Sequence, residues 1–405
     1  MKSQTIYFVA GEVSADNHGA ALMRSLRECD PGLNFTGRGG PQMQQLASNQ
    51  FKNWIGDAAV LGLWEVLRKY GYFREQFRQT LTEILDIKPD AVVLIDYPGF
   101  NLRLARSLRQ RSPRQKIIYY ISPQVWAWNR GRIKRMARTI DLVLCIFPFE
   151  ADLYNQSGLR AIFVGHPMME RLPARQINTE RDPNLIGLFP GSRSREVRKI
   201  FPVMIQTARL LLKTTPRLRF EVAAASQELA HEVRAMLPPQ LMEVIHITVG
   251  ETAEIMQRAW AGMVASGSAT LEAAYFRLPF VLVYKVALPT YLAARAVVKV
   301  NYLGMPNLLA DKEVVPEFIQ HGAEPHAMAD EMRILVDDPI VREQMISEFD
   351  SIIGKIDGGG ASETAARTII QELKFQQVGT ESAGGLPPAP RYGAPGETAA
   401  PSATR

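Results

Sequence analysis

Short apolar runs alternate with longer segments of helical periodicity along this chain, and the pattern occurs twice. In the first half, the apolar runs 5–10 and 116–122 enclose segments such as 18–29, whose apolar residues recur three and four apart. Continuous apolar runs are typical of parallel strands buried on both faces. We therefore predict an α/β architecture in which helices cover parallel sheets.

A polar stretch with two prolines, residues 170–184, separates the two alternating sets. The predicted fold class is α/β, with two Rossmann-like domains whose parallel sheets face a central cleft. The predicted boundaries are an N-terminal domain over 1–172, a C-terminal domain over 173–340 and C-terminal helices over 341–378 that could return to the N-terminal domain. Residues 379–405 contain five Pro and five Gly with few apolar groups, so we predict a disordered tail there.

Charge and cysteine content narrow the class of protein. The net charge of +6 and the pI of about 9.2 suit phosphates, anionic lipid or nucleic acid. The basic residues are dispersed and no nucleic-acid motif is present, so we expect no nucleic-acid partner. The two cysteines are too few for a disulfide framework and do not have the spacing of a zinc site. No His/Cys/Asp/Glu cluster has the spacing of metal ligands. No apolar run is long enough to span a bilayer. We expect a cytoplasmic protein without a bound metal.

Polar clusters follow the predicted strands, at 11–18, 96–101, 122–128, 190–197 and 266–273. In an open parallel sheet, ligands bind beyond the carboxyl ends of the strands. The sequence therefore predicts that these clusters line the cleft between the two domains.

Asp96 is the best candidate for a general base. It follows the apolar run "AVVLI", so burial could raise its pKa toward neutrality. The alternative is a carboxylate that caps the turn before Pro98. His18 and His166 could also act as bases, although a single histidine is more often structural.

The stretch "PGSRSREV" predicts a diphosphate site. Pro190 and Gly191 end a strand, and Ser192 and Arg193 then lie where the next helix offers free backbone N–H groups. The alternative is a plain helix cap that Glu196 completes as a capping box. No Gly-Lys-Ser/Thr follows, so the stretch is not a P-loop.

A second glycine-containing turn adds candidate donor ligands. In "SGSATLEA", the small residues Ser266, Gly267 and Ser268 would let a ligand approach the backbone. Glu272 lies one turn into the following helix, where a carboxylate could accept two ribose hydroxyls; the alternative is an ordinary surface Glu. Asn307 could read a base or a phosphate.

The segment 63–85 carries an apolar stripe with interleaved basic residues. Such a helix can lie in a membrane interface, or it can simply pack on the sheet. The residues predicted to contact a membrane are Trp64, Leu67, Arg68, Lys69, Tyr72, Phe73 and Arg74.

Several of these stretches together resemble one family, the lipid-A-disaccharide synthases, which are GT-B glycosyltransferases with two Rossmann-like domains. Val13 and Ala15 stand where the family usually has Ala and Gly, and Gly99 stands where an acidic residue is common. The matching stretches span about residues 6–325 in the family's order: "AGEVSAD", "LGLWEVL", "IDYPGFN", "YISPQVWAWNRGRIKR", "DLVLCIFPFE", "GHPM", "PGSRSREV", "ASGSATLEA" and "PNLLADKEVVPEFIQ".

The resemblance implies an inverting transfer of sugar from UDP-2,3-diacylglucosamine to the 6-hydroxyl of 2,3-diacylglucosamine 1-phosphate, for lipopolysaccharide synthesis in a Gram-negative bacterium. Asp96 would be the base, Arg193 and Ser192 would bind the leaving diphosphate, and Glu272 would bind the ribose. The residues expected to bind the UDP donor are Gly191, Ser192, Arg193, Glu196, Ser266, Gly267, Ser268, Glu272 and Asn307. No cofactor or metal is implied. The protein is expected to bind an anionic membrane surface, on the inner face of the cytoplasmic membrane. It is also expected to form a homodimer. The residues expected to bind the acceptor are Glu12, Ser14, Asp16, Ser122 and Trp126.

Two alternatives stay open. One is a UDP-sugar transferase with another lipid-linked acceptor, such as a muramyl-peptide carrier. The other is a non-catalytic protein that binds a UDP-sugar or a lipid surface, which the departures at Ala15 and Gly99 motivate. The sequence does not indicate the acyl-chain lengths of the substrates.

Overall fold

A computed structural model describes residues 3–58, 70–128, 131–297 and 300–381. Two parallel sheets organise them. The first has seven strands in the order β3-β2-β1-β4-β5-β6-β7. Its strands are β1 (Thr5–Ala10), β2 (Asn34–Gly39), β3 (Lys52–Asn53), β4 (Ala91–Ile95), β5 (Lys116–Tyr120), β6 (Leu142–Cys145) and β7 (Ala161–Phe163).

The second sheet has six strands in the order β10-β9-β8-β11-β12-β13, and all its described pairs are parallel. Its strands are β8 (Asp182–Phe189), β9 (Arg219–Ala224), β10 (Ile245–Val249), β11 (Ala259–Ala265), β12 (Phe280–Tyr284) and β13 (Glu317–Ile319). The prediction of two Rossmann-like parallel sheets is confirmed.

Helices connect successive strands. In the first half they are α1 (Val13–Cys29), α2 (Pro41–Gln44), α3 (Ile55–Ala58), α4 (Tyr70–Ile87), α5 (Pro98–Arg111), α6 (Val125–Trp128), α7 (Gly131–Met136), α8 (Pro148–Gln156) and α9 (Met168–Arg171). In the second half they are α10 (Ser194–Thr214), α11 (Gln227–Met236), α12 (Thr252–Arg258), α13 (Ala269–Tyr275), α14 (Leu288–Val297), α15 (Met305–Ala310), α16 (Pro325–Asp337), α17 (Pro339–Ile356) and α18 (Ala361–Glu381). Short 3-10 turns cover Pro173–Arg175, Pro239–Leu241 and Gln320–Gly322. None of the helices described here combines the length and apolarity needed to cross a membrane.

The strand order of each sheet reverses direction at one place. In the first sheet the chain leaves β1 toward β2 and β3 and then returns to β4 on the other side; in the second sheet the same reversal separates β8 from β11. At such a switch point the connections after two neighbouring strands diverge to opposite faces and open a crevice. Each sheet therefore offers one crevice at its carboxyl edge.

The central strands of the first sheet, β1, β4, β5 and β6, are mostly apolar and are buried on both faces of the sheet. One face packs against α4, α5 and α8, and the other packs against α1 and α18. The helix α18 comes from the far end of the chain, and its Ala365, Ala366, Ile369 and Leu373 are at most 1% exposed in that core. Glu372 also contacts Lys116 Nζ at 3.1 Å. The last described helix thus completes the first domain.

The helix α1 begins earlier than the sequence pattern indicates. The helical periodicity predicts a helix from residue 18, but Glu12 is the extended N-cap and the helix runs from Val13. The N–H of Asp16 donates to the Glu12 carbonyl at 2.9 Å, so helical bonding is already established there. Only Gly11 and Glu12 form the turn, and the other polar residues belong to the first turns of the helix.

The helix α4 covers part of the segment that was considered for membrane contact. Leu81 and Ile84 are buried in the core, and Phe73 and Phe77 pack partly buried against it. For Phe73 the structure therefore favours the alternative of packing on the sheet. Arg74 is exposed and Tyr72 is half-buried. The other residues of the prediction, Trp64, Leu67, Arg68 and Lys69, lie outside the described residues.

Candidate active site

Asp96 lies at the switch point of the first sheet, next to the turn after β1. The register pairs Ala10 with Ile95, so Gly11 and Asp96 are neighbours at the ends of β1 and β4. A Cβ on Gly11 would lie 2.4 Å from Cδ1 of Tyr97, so only glycine lets that ring pack there. The sheet thereby brings the first polar turn and Asp96 together.

The backbone at Asp96 adopts an uncommon conformation. Both Asp96 and Tyr97 have left-handed φ angles, 45° and 49°, which cost non-glycine residues roughly 1–3 kcal/mol each. The carbonyl of Asp96 is held by Nδ2 of Asn101 at 2.8 Å and by the hydroxyl of Tyr119. These bonds hold the strained turn in one conformation, which fixes where the carboxyl group begins.

The carboxyl group of Asp96 has a pKa suited to a general base. Burial and, to a smaller extent, the negative charge of Glu12 raise the pKa of Asp96 to about 6, while a hydrogen bond from the Tyr97 backbone opposes them. A base with a pKa near the working pH is ionised and still accepts a proton readily. This is the environment that the sequence predicted for Asp96.

Two of the residues predicted at the first turn are open to solvent, and the third is not. Glu12 and Ser14 are exposed at the start of α1. Asp16 is only 2% exposed, and its carboxylate accepts backbone N–H groups of Gly40, Gln42 and Met43, each at 3.0 Å. This corrects the prediction that Asp16 binds the acceptor, because its oxygens cap α2 instead.

Ser122 and Trp126, which follow β5, are also buried. The indole N–H of Trp126 donates to Oε1 of Glu150 at 2.8 Å. Trp126 is therefore a packed residue and not an open acceptor ligand. Burial raises the pKa of Glu150 to about 7. Sequence reasoning missed Glu150, although it follows the apolar run of β6 as Asp96 follows that of β4.

The histidines considered as bases are poorly suited to that role. Burial is the main cause that lowers the pKa of both His18 and His166 to about 4, and the charge of Arg171 adds to it. Both imidazoles are neutral at physiological pH and only weakly basic.

Arg193 lies at the switch point of the second sheet, at the N-terminus of α10. Gly191 has φ +111°, and a Cβ there would lie 2.7 Å from Oε2 of Glu196, so this turn requires glycine. The Arg193 side chain is 70% exposed and bonds Oε1 of Glu196 at 3.1 Å. Ser192 is exposed beside it. A cation and a helix N-terminus thus lie at the open edge of the sheet, as an anion site requires.

The turn after β11 is adjacent to this edge. The register pairs Val264 with Phe189, so the turn at Ser266–Ser268 neighbours the turn at Gly191. Gly267 has φ +146°, a conformation that glycine adopts without strain. Because Gly267 has no side chain, the backbone of this turn stays accessible to a ligand.

Glu272 follows that turn and is more enclosed. Its side chain is 18% exposed and lies 3.7 Å from Arg175, and burial raises its pKa. Arg171 lowers the pKa of Glu272 and also acts on His18 and His166 of the first half. The polar edges of both sheets therefore meet near the connecting segment. The sequence does not single out these two arginines, because they lie in the polar stretch 170–184 that separates the two predicted domains.

Asn307 is not a donor ligand. It is fully buried, and its Nδ2 donates to the Val315 carbonyl at 2.8 Å and to Glu317 at 2.9 Å. Its Oδ1 accepts the N–H groups of Val314 and Val315. The prediction for Asn307 is corrected because these bonds occupy both amide protons and the amide oxygen.

Within the ranges described above, no group of three or more His, Cys, Asp or Glu side chains is placed to hold a metal ion. The positive charges near Glu272 and at α10 are instead side-chain cations and backbone N–H groups.

Comparisons with known proteins identify the family of this chain. A family model described as lipid-A-disaccharide synthetase matches residues 6–358. The lipid-A-disaccharide synthase of Geobacter sulfurreducens is 36% identical over 382 residues, which cover 92% of this chain and 98% of that protein. The enzyme of the same name from Coxiella burnetii is 33% identical over 383 residues, covering 93% and 100%.

Solved structures with low sequence identity share the fold. A transferase from Siraitia grosvenorii in complex with UDP has a TM-score of 0.58 at 12% identity, covering 91% of this chain and 99% of that one. A UDP-GlcNAc 2-epimerase from Neisseria meningitidis bound to UDP-GlcNAc has a TM-score of 0.56 at 11% identity, covering 93% and 100%. Both are similar to this chain in architecture.

Proposed function

Since the chain belongs to the lipid-A-disaccharide synthase family, we propose that Asp96 and Arg193 are the two residues on which its sugar transfer depends. The chain is accordingly a glycosyltransferase that forms the lipid A disaccharide. The observation that carries the proposal is the half-buried Asp96, with its raised pKa, at the crevice of the first sheet.

The proposed donor is UDP-2,3-diacylglucosamine and the proposed acceptor is 2,3-diacylglucosamine 1-phosphate. The acceptor 6-hydroxyl oxygen attacks C1 of the donor sugar while the bond from C1 to the diphosphate oxygen breaks. The configuration at C1 inverts, which gives the β-1,6 disaccharide 1-phosphate and UDP. One base and one anion site are sufficient for this displacement.

Asp96 takes the proton from the attacking hydroxyl. The ionised carboxylate accepts it as the oxygen attacks, so the nucleophile never carries a full positive charge. The strained backbone held by Asn101 and Tyr119 supports this role, because it fixes the carboxyl group before substrate binds.

Arg193 stabilises the negative charge that develops on the leaving UDP. Its exposed guanidinium, the neighbouring Ser192 and the N-terminus of α10 favour an anion there. Glu196 orients the guanidinium, and Gly191 leaves space for Glu196. The turn at Ser266–Ser268 lets the donor approach the backbone.

Glu272 accepts the ribose hydroxyls in this proposal. Its half-enclosed carboxylate, with Arg175 beside it, lies one turn into α13 and on the edge that neighbours Arg193. On the other side of the cleft, Glu12 and Ser14 bind hydroxyls of the acceptor, because both are exposed at the start of α1 and the charge of Glu12 acts on Asp96.

The protein further acts at the inner face of the cytoplasmic membrane in this proposal. Both proposed substrates carry acyl chains, and the exposed Arg74 with the half-buried Tyr72 lies next to the aromatic and basic segment that begins at residue 63. An anionic lipid surface suits that composition. A homodimer stays a prediction, which sedimentation of the purified chain tests.

The first experiment measures UDP release from UDP-2,3-diacylglucosamine with and without the acceptor, in the presence of EDTA, and resolves the lipid products by mass spectrometry. The proposal expects acceptor-dependent UDP release and a disaccharide 1-phosphate. Asp96→Asn should lower kcat by about 10²-fold or more, because it removes the general base. Wild-type protein that binds UDP but forms no disaccharide would contradict the proposed substrates.

A further inference from the structure

We propose that a cavity between α5 and α7 binds the phosphate group of the acceptor. This inference rests on the proposed function and names the part of the substrate that the cavity recognises. The cavity has a volume of about 270 Å³. Four arginines line it, Arg103 and Arg106 from α5 and Arg132 and Arg135 from α7, and Gly99 lies at its edge.

The arginines form an unusual concentration of positive charge. The members of each pair are three residues apart, so both side chains of a helix lie on the same face. As far as the structure describes the chain, no acidic residue lines the cavity and no carboxylate lies within salt-bridge distance of Arg103, Arg106 or Arg135. Clustered cations of this kind create a potential that attracts an anion.

A neighbouring arginine on α5 shows what a structural arginine does in this part of the fold. Arg109 pairs with Asp141 at 2.7 Å and donates to the carbonyls of Thr139 and Gln115. Its bonds fasten α5 to the connection between α7 and β6. Arg106 and Arg103, about one and two turns earlier on α5, have no such carboxylate partner among the described residues, which favours a role in binding a ligand.

The position of the cavity relative to Asp96 fits the acceptor. Pro98 lines the cavity and is two residues from Asp96, a separation of at most about 7 Å along the chain. In a hexose the 6-hydroxyl and the anomeric carbon lie on opposite sides of the ring oxygen. An acceptor whose 6-hydroxyl contacts Asp96 can therefore extend its 1-phosphate away from the base and into the cavity.

Two further features favour a phosphate monoester. The first turn of α5 carries Pro98 and Gly99, so the partial positive charge of the helix N-terminus adds to the arginines. A phosphate monoester carries about −1.5 to −2 charge at pH 7, whereas a phospholipid diester carries less. The volume is below the roughly 300–1,000 Å³ of pockets that enclose a whole ligand, which suits one phosphate and its nearest atoms.

Substitutions that remove positive charge from the cavity test the proposal. Arg106→Gln and the double change of Arg103 and Arg135 to Gln remove positive charge directly. Arg111→Gln is the matched control, since Arg111 is exposed on the same helix and does not line the cavity.

The experiment measures kcat and KM of the full chain in neutral detergent micelles for two acceptors, 2,3-diacylglucosamine 1-phosphate and the same lipid without phosphate. Arg106→Gln should raise KM for the phosphorylated acceptor by about five- to tenfold, and the double change by more. KM for the lipid without phosphate should stay within twofold throughout, and Arg111→Gln should alter neither acceptor. If the lipid without phosphate is not turned over, its affinity is read from inhibition of the phosphorylated acceptor.

Sedimentation with vesicles separates the acceptor from a membrane headgroup. If the arginine variants lose binding to phosphatidylglycerol vesicles but keep the wild-type ratio of KM values, the cavity binds a phospholipid and the proposal is overturned. An unchanged ratio with unchanged vesicle binding also overturns it, while the proposed function stands. Wild-type protein without acceptor-dependent UDP release would overturn both.

Discussion

Replacing Glu12 by Gln tests whether the pKa of Asp96 controls the rate of sugar transfer. Asp96 has its pKa raised from 3.8 to about 6, with burial as the larger cause and Glu12 as the smaller. The substitution removes only the charge of Glu12. The pKa of Asp96 should therefore fall by about one pH unit at most, to roughly 5, because burial still disfavours the ionised form.

The size of the effect follows from the ionised fraction of Asp96. At pH 5 a base of pKa 6 is about one-eleventh ionised, and a base of pKa 5 is half ionised. The ratio of kcat/KM at pH 5 to kcat/KM at pH 8 should thus be up to about fivefold higher in Glu12→Gln than in the wild type. The plateau at pH 8 should itself fall, because a weaker base accepts the proton less readily and because Glu12 is also proposed to bind the acceptor.

The assay is acceptor-dependent UDP release between pH 4.5 and 8.5 at low ionic strength. Glu28→Gln removes a carboxylate from the other end of the same helix and should leave the acid limb in place. Because Glu12 is exposed, salt should move the wild-type limb to lower pH and leave that of Glu12→Gln unchanged. If kcat/KM of wild type and Glu12→Gln falls at the same acid pH at low salt, the coupling between Glu12 and Asp96 is refuted. If the residual activity of Asp96→Asn falls at that same pH, the titration belongs to another group, such as Glu150.

Other substitutions test the remaining assignments. Arg193→Ala should lower kcat/KM by about 10²–10³ with a change in unfolding free energy within about 0.5 kcal/mol, since the side chain is exposed; Arg195→Ala is the control and should retain most activity. Asn307→Ala should lower the unfolding free energy by about 2–5 kcal/mol in denaturant titrations, because four buried hydrogen bonds are lost. A normal stability together with a raised KM for the donor would restore the assignment of Asn307 to the donor site. Glu150→Gln tests the raised pKa of Glu150. The folded pKa of about 7 exceeds the ordinary 4.5, so the folded state holds the proton more tightly and the associated stability, present below pH 4.5, is lost as pH rises through 7. In thermal unfolding, the wild type should therefore lose up to about 3 kcal/mol more unfolding free energy than Glu150→Gln between pH 5 and pH 8. Equal losses in the two proteins would show that Glu150 is ionised in both the folded and the unfolded state.

Residues at the strand ends could be placed from the sequence because two rules are enough to locate them. Apolar runs reveal where buried strands end, and parallel strands bring those ends to one edge. Asp96 follows "AVVLI" and Arg193 follows "LIGLFPG", and the structure places both at switch points. The raised pKa of Asp96 also follows from its neighbours in the chain, since they are apolar.

Other residues were misjudged because a polar side chain does not reveal its partners. Asp16 and Asn307 have the residue types of ligands, yet backbone N–H groups occupy both. The partners of Asp16 are 24 to 27 residues away and depend on the packing of α2 against α1. Trp126 is similar, because its partner Glu150 comes from the connection after the next strand.

The arginine cavity is likewise invisible in the sequence. Its two pairs of arginines come from helices separated by β5, and each pair alone reads as an ordinary solvated helix face. Only the packing of α5 beside α7 brings the four charges together.

The return of α18 to the first sheet has a consequence for how the chain is made. The last strand of that sheet ends at Phe163, while Leu373 of α18 completes its core. A ribosome adding about 5–20 residues per second needs roughly 10–40 s to cover this interval. During that time the apolar face over β5 and β6 lacks its cover, although the second domain can already fold. The half that carries Asp96 is thus the first to leave the ribosome and the last to complete its core. A nascent chain that stalls before residue 361 leaves an exposed apolar surface to which chaperones can bind.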